Sequence, residues 1–148
     1  MFASALAAAL LLFAGSAHAV DDTDEIPASS SSAEYADAKA LVDAGKYEDA
    51  LPKLVALDKT MPDNADVLNL IGFSLRKTGN TSRALDYYNR ALALKPEHLG
   101  ANEYLGELYL ELKQPDKAKE RLAVLQKACG DCEEYRDLKG QIDRAASQ

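Results

Sequence analysis

Apolar and polar positions follow a helical period over most of the chain, and the pattern repeats. Leu68, Ile71, Gly72 and Leu75 recur at steps of three, one and three, which sets them on one face of an α-helix. Thr78-Gly79-Asn80 interrupts that face, because Gly and Asn tolerate the left-handed conformation that ends a helix. Ala84, Leu85, Tyr88, Ala91 and Leu92 then make a second apolar stripe, which Pro96 stops. A shift of 34 residues brings the arrangement back. Ala50, Ala84 and Ala118 share a column, as do Pro62 and Pro96, Gly45 and Gly79, and Gly72 and Gly106. Larger apolar residues keep the same step: Leu41, Leu75 and Tyr109; Leu54, Tyr88 and Leu122; Leu57, Ala91 and Leu125. The spacing predicts two helices per unit. The small residues fall where paired helices approach closely, since a side chain larger than Ala would push the backbones apart.

Two prolines bear on these helices. Pro115 falls at the first position of the last unit's second helix, where a missing N–H costs nothing. Pro52 sits about a turn and a half into its helix, where it removes one hydrogen bond and predicts a bend. Tyr135, Leu138, Ile142 and Ala145 add one more amphipathic stripe with no partner stripe after it. Ser31-Ser32-Ala33-Glu34 reads as a capping box for the first helix.

A 34-residue helix–turn–helix unit with L-x-x-I-G-x-x-L, then A-x-x-x-Y-x-x-A, then Pro resembles the tetratricopeptide repeat. The resemblance covers residues 31–132 as three repeats, 31–64, 65–98 and 99–132. It implies an all-α superhelix closed by a capping helix in 133–148, seven helices together. The first repeat departs most, with Glu34 and Asp37 where the second has Leu68 and Ile71; a polar helix suits the end of a stack. The third has Asn102 in the Leu68 column.

The ends differ from the repeats. Phe2 to Ala14 is nearly unbroken apolar sequence, followed by Ala17-His18-Ala19, an A-x-A pattern. Residues 1–19 therefore read as a cleavable signal peptide, with a mature chain starting at Val20. The apolar run is shorter than the roughly 20 residues a membrane span requires, so no membrane insertion is expected after cleavage. No Lys or Arg precedes the run, a departure from the usual signal pattern. Residues 20–30 are acidic and Ser-rich and read as a flexible tether. The net charge of −7 argues against nucleic acid, whose phosphates need a basic footprint.

Cys129-Gly130-Asp131-Cys132 is a C-x-x-C, a spacing shared by structural, redox-active and metal-binding pairs. Cys129 falls at the end of an incoming helix, where the dipole disfavours a thiolate, and Asp131, Glu133 and Glu134 add to that. Asp131 reads as an N-cap for the next helix, with Glu134 completing a capping box. A zinc site wants four ligands, and no further Cys is available. A structural disulfide pinning the cap helix is the favoured reading; redox activity and intermolecular pairing are alternatives.

The resemblance also implies a concave groove lined by the first helix of each repeat. Its lining would be Tyr35, Lys39, Val42 and Asp43, then Asp66, Asn69, Phe73, Arg76 and Lys77, then Gly100, Glu103, Glu107, Leu110 and Glu111. Phe73 could anchor a partner or pack against the next repeat. Glu103, Glu107 and Glu111 form an acidic ladder facing Arg76 and Lys77, read as a solvated face or as a partner contact. The Lys, Asn, Asn, Lys, Arg clamp of chaperone-type relatives would fall on Tyr35, Lys39, Leu70, Gly100 and Tyr104, none of which carries the required residue. No nucleotide-binding glycine motif is present, and His98 lies in an inter-repeat turn with no triad around it. Neither catalytic residue, metal nor cofactor is expected. The function expected is a protein-interaction adaptor, periplasmic or secreted, holding a protein or peptide. A thiol–disulfide oxidoreductase and a structural envelope subunit are the competing readings.

Overall fold

The computed structural model describes residues 28–147, so the signal peptide and most of the tether lie outside the described residues. Seven helices and no strand occur among the described residues: α1 Ala28–Asp43, α2 Tyr47–Thr60, α3 Ala65–Lys77, α4 Thr81–Leu94, α5 Leu99–Glu111, α6 Pro115–Cys129 and α7 Glu133–Ala146. Helix α1 starts earlier than the expected capping box, so Ser31 and Ser32 lie within it and residues 28–30 are helical. Once the docked turns around Ala38 and Val42 have nucleated the helix, each added residue gains a hydrogen bond at little further cost. Helix α2 runs through Pro52 to Thr60 without interruption.

The turns inside the three repeats are alike. Lys46 N–H reaches Leu41 C=O, Asn80 reaches Leu75 and Gln114 reaches Tyr109, the six-to-one bond of a Schellman motif. The motif needs a left-handed residue, supplied by Gly45 at φ 73°, Gly79 at φ 83° and, in the same column, Lys113 at φ 59°. The turns between repeats also share a column. Asn64 caps α3 by accepting from Asp66 N–H and Val67 N–H, His98 caps α5, and Cys132 is the N-cap residue of α7. The N-cap assigned to Asp131 is thus corrected: Cys132 occupies it, in extended conformation and with no side-chain capping bond.

Helices α1 and α2, α3 and α4, and α5 and α6 pack as pairs, and α7 packs on both α5 and α6. Val67, Ile71, Leu75, Ala84, Tyr88, Leu105 and Leu108 belong to one continuous core with Leu54 and Leu57. Ala118, Leu125, Leu138 and Ile142 form a second cluster beneath α7. Close approach explains the small-residue columns. A Cβ on Gly72 would lie 2.8 Å from the Tyr88 ring, and one on Gly106 would lie 2.5 Å from Leu138 Cδ2. Glu133 stands 34 residues after Leu99, and Leu99 stands 34 after Ala65, so α7 occupies the place of a first helix in a fourth repeat.

Asn102 is wholly buried, not a sign of a solvated end. Its amide donates to Pro96 C=O and His98 C=O, both at 3.0 Å, and accepts from Arg121 Nη1 at 3.3 Å. These bonds tie the inter-repeat turn to α5 and α6 and satisfy a polar group that would otherwise be costly inside the core.

Candidate partner-binding groove

First helices α1, α3, α5 and α7 bring their facing residues around a cavity of about 370 Å³. Tyr35, Lys39, Val42, Asp43, Asp66, Asn69, Phe73, Gly100 and Glu103 of the expected lining meet there. Tyr47, Leu70, Tyr104 and Glu134 join them. Tyr47 comes from the start of α2, which a lining confined to first helices leaves out. Glu134 was findable: it extends the Asp66, Gly100 column by one more period onto α7.

Aromatic rings make one wall. Phe73 stacks at a tilt on Tyr104, with centroids 4.5 Å apart, and meets Tyr47 edge-on at 5.8 Å. Phe73 packs against neighbouring repeats, one of the two readings it allowed, and borders the cavity, half-buried. Burial, with Glu103 and Glu107 nearby, pushes the Tyr104 hydroxyl up to about 12. Lys77 lies over the Phe73 ring at 5.2 Å and borders a separate cavity with Gly45 and Glu48.

The acidic ladder is not a solvated face. Arg76 reaches across from α3, donating through Nη2 to Glu107 and through Nη1 to Glu111 Oε1 at 2.7 Å. Gln141 of α7 donates to the other Glu107 oxygen. Arg76 and Glu107 are buried, so their charges are spent on each other across the repeat boundary, while Glu111 stays half exposed. Leu110 lies at another cavity, against α7 and Lys113.

Glu103 differs from its ladder neighbours. It is buried, 7% exposed, yet no bond to its carboxylate occurs among the described residues. Burial first, then Glu107, Asp137 and Glu134, push its pKa up to about 8, with Arg76 pulling the other way. Asn69 beside it is also 7% exposed, and its Oδ1 has no hydrogen-bond partner among the described residues. A Cβ on Gly100 would stand 3.1 Å from Asn69 Nδ2, so the glycine leaves the amide its space.

Several other polar groups have partners. Lys39 pairs with Asp43 at 2.7 Å. His98 Nδ1 accepts from Ala101 N–H at 3.1 Å, which leaves Nε2 to carry the proton and donate to Asp66 Oδ1 at 2.9 Å. His98 is thus a helix cap. Cys129 and Cys132 are joined as a disulfide across the α6–α7 turn, with Gly130 between them at φ 72°.

Stacked helix pairs with a concave face lined by alternate helices define a helical-repeat solenoid. Two models described as tetratricopeptide repeat match the chain, one over residues 35–97 and the other over 75–142, so the chain carries tetratricopeptide repeats. A human relative, general transcription factor 3C polypeptide 3, is 38% identical over 86 residues; the match spans 57% of this chain and only 10% of that protein. The Yersinia enterocolitica type III secretion chaperone SycD, solved with a peptide of the translocator YopD, superposes with TM-score 0.71 at 18% identity, covering 84% of this chain and 95% of that one. The first tetratricopeptide domain of Spaghetti, solved with the HSP90 peptide SRMEEVD, gives TM-score 0.70 at 16% identity, covering 80% and 94%. At such identities the likeness concerns the fold. All the positions where the chaperone-type clamp would fall line the cavity, but Tyr35, Leu70, Gly100 and Tyr104 offer no positive charge to a carboxylate.

Proposed function

We propose that this chain is a protein-interaction adaptor that holds a segment of a partner protein in the concave groove. The observation that carries the reading is the lining itself: four aromatic side chains, Tyr35, Tyr47, Phe73 and Tyr104, around a cavity that also holds polar groups without partners. Aromatic side chains offer large contact area at low entropic cost, and unpartnered buried polar groups gain most from a ligand that bonds them. The reading is supported by SycD and Spaghetti, proteins of similar fold that were each solved with a bound peptide. The apolar leader and A-x-A pattern support export, so the adaptor would work in the periplasm or outside the cell. In that oxidising setting the Cys129–Cys132 bond would be structural.

A photo-crosslinking amino acid placed at Tyr47 tests the groove. It should capture a partner segment, and Phe73→Ala should diminish the yield without loss of helical content. The same yield from a crosslinker on the outer face, at Arg83, would move the binding surface to the convex side and favour a structural subunit. Mass spectrometry of the mature N-terminus tests export: a chain beginning at Met1 would overturn it.

A further inference from the structure

The charges around the groove are lopsided. Asp43, Asp66, Glu103 and Glu134 border it, against Lys39 as the only Lys or Arg in the lining. Lys39 is committed to Asp43, and Asp66 already accepts from His98. Two carboxylates, Glu103 and Glu134, therefore face the cavity with no cation assigned to them among the described residues. Beside them lies the Asn69 amide, 93% buried by its 7% exposure and with Oδ1 unpartnered. Such a group is costly to leave unbonded, and its residue borders the same cavity. The Phe73 and Tyr104 rings supply apolar surface next to it, with Arg76 already over both rings and Lys77 over Phe73.

We propose that the Glu103–Glu134 end of the groove is a subsite for a cationic side chain, lysine or arginine, of the bound segment. Its N–H groups would donate to the Glu103 and Glu134 carboxylates and to the Asn69 amide, and its methylene stem would lie along Tyr104 and Phe73. The proposal rests on the groove reading and gives it a partner chemistry: a basic segment, opposite in sign to the SRMEEVD peptide bound by Spaghetti. The chain's own acidic stretch Asp21–Glu25 has the wrong sign to fill the subsite.

Binding should depend on pH. Around Glu103 stand Glu107 on its own helix, Glu134 and Asp137 on α7, and Arg76 on α3. Lys39 and Asp43 of α1 border the same cavity, as do Asp66 and the hydroxyls of Tyr35, Tyr47 and Tyr104. The carboxylates hold a proton on Glu103 until about pH 8. An arriving cation displaces that proton, so affinity rises as pH climbs from 7 to 9, below the range where a lysine ammonium titrates.

Random-peptide display against the purified chain tests the proposal. Selected peptides should share Lys or Arg at one position. Replacing it by norleucine or citrulline should weaken binding about tenfold in a fluorescence titration, and Glu103→Gln, checked for unchanged melting or better, should erase that preference and the pH dependence. Selected peptides without a shared basic residue, or enriched in acidic ones, would overturn the cationic subsite and leave the groove standing. A wild-type chain that enriches no peptide would overturn the groove reading and this one with it.

Discussion

Arg76 of α3 and Glu107 of α5 form an ion pair that is shut away from water, with 5% and 11% of their side chains exposed. Desolvating two charges is expensive, and the pair holds because each satisfies the other while Gln141 and Glu111 add further bonds, Arg76 Nε being left without one among the described residues. Arg76→Met should leave the Glu107 carboxylate unpaired and lower unfolding free energy by about 3–5 kcal/mol. Arg76→Met combined with Glu107→Met should recover most of that loss, because no orphan charge remains. Urea unfolding of the three proteins checks this, and a single variant as stable as wild type would contradict it.

Gly106 should not tolerate even one carbon. Its Cβ would meet Leu138 Cδ2 at 2.5 Å and Cδ1 at 2.8 Å. Gly106→Ala should therefore lift α7 from α5 and cost about 1–3 kcal/mol, the usual range for overpacking. Hydrogen exchange should accelerate first in residues 133–146, before α3 or α4.

Lys113 offers a gain. It adopts φ 59° in the column where the other two turns have Gly45 and Gly79. A left-handed conformation costs a non-glycine residue about 1–2 kcal/mol, while glycine loses about 0.5–1 kcal/mol in extra chain entropy. Lys113→Gly should raise stability by about 0.5–1 kcal/mol. A melting temperature below wild type would show that the lysine side chain contributes more than its backbone costs.

Glu103 sets a pH slope on stability. Its folded pKa of about 8 lies above the ordinary value of 4.5, so between those values the native state holds a proton that the unfolded chain has lost. Stability should fall as pH rises through that window and level off above about 8. Glu103→Gln removes the slope, so its melting temperature should overtake wild type progressively from pH 5 to pH 9. Parallel melting curves across that range would contradict the shift.

The disulfide between Cys129 and Cys132 closes a very short loop, which limits its worth to about 2 kcal/mol. The Cys129→Ser, Cys132→Ser double variant should fray in α7 first, since the packing of Tyr135, Leu138 and Ile142 and the Gln141–Glu107 bond must then hold it without the covalent link. Peptide capture at Tyr47 should persist in weakened form. In a disulfide-exchange assay the native protein should be no faster than free dithiol; faster turnover would favour the oxidoreductase reading.

The repeats were legible because their information is local and periodic. Gly45 and Gly79 marked turns, Ala50, Ala84 and Ala118 marked close contacts, and each meets the structure as expected. What escaped depends on partners distant in sequence. Glu103, Glu107 and Glu111 were legible as a ladder facing Arg76; that Arg76 is buried on Glu107 and Glu111, with Gln141 braced against Glu107, was not. Asn102 looks like an exposed polar residue until Pro96, His98 and Arg121 surround it. Asp131 had the right chemistry for an N-cap, but the 34-residue register that puts Asn64 and His98 at caps puts Cys132 there instead. Glu134 and Gln141 obey the same register, standing 34 residues after Gly100 and Glu107.

That α7 keeps the register of a first helix has a consequence for modularity. Repeat proteins are commonly treated as beads that can be exchanged while each keeps its own surface. Here Glu134 borders the cavity and Gln141 braces Glu107, both from beyond the third repeat. A chimaera that transplanted residues 31–132 alone would carry the three repeats and leave part of the cavity wall and the brace on Glu107 behind.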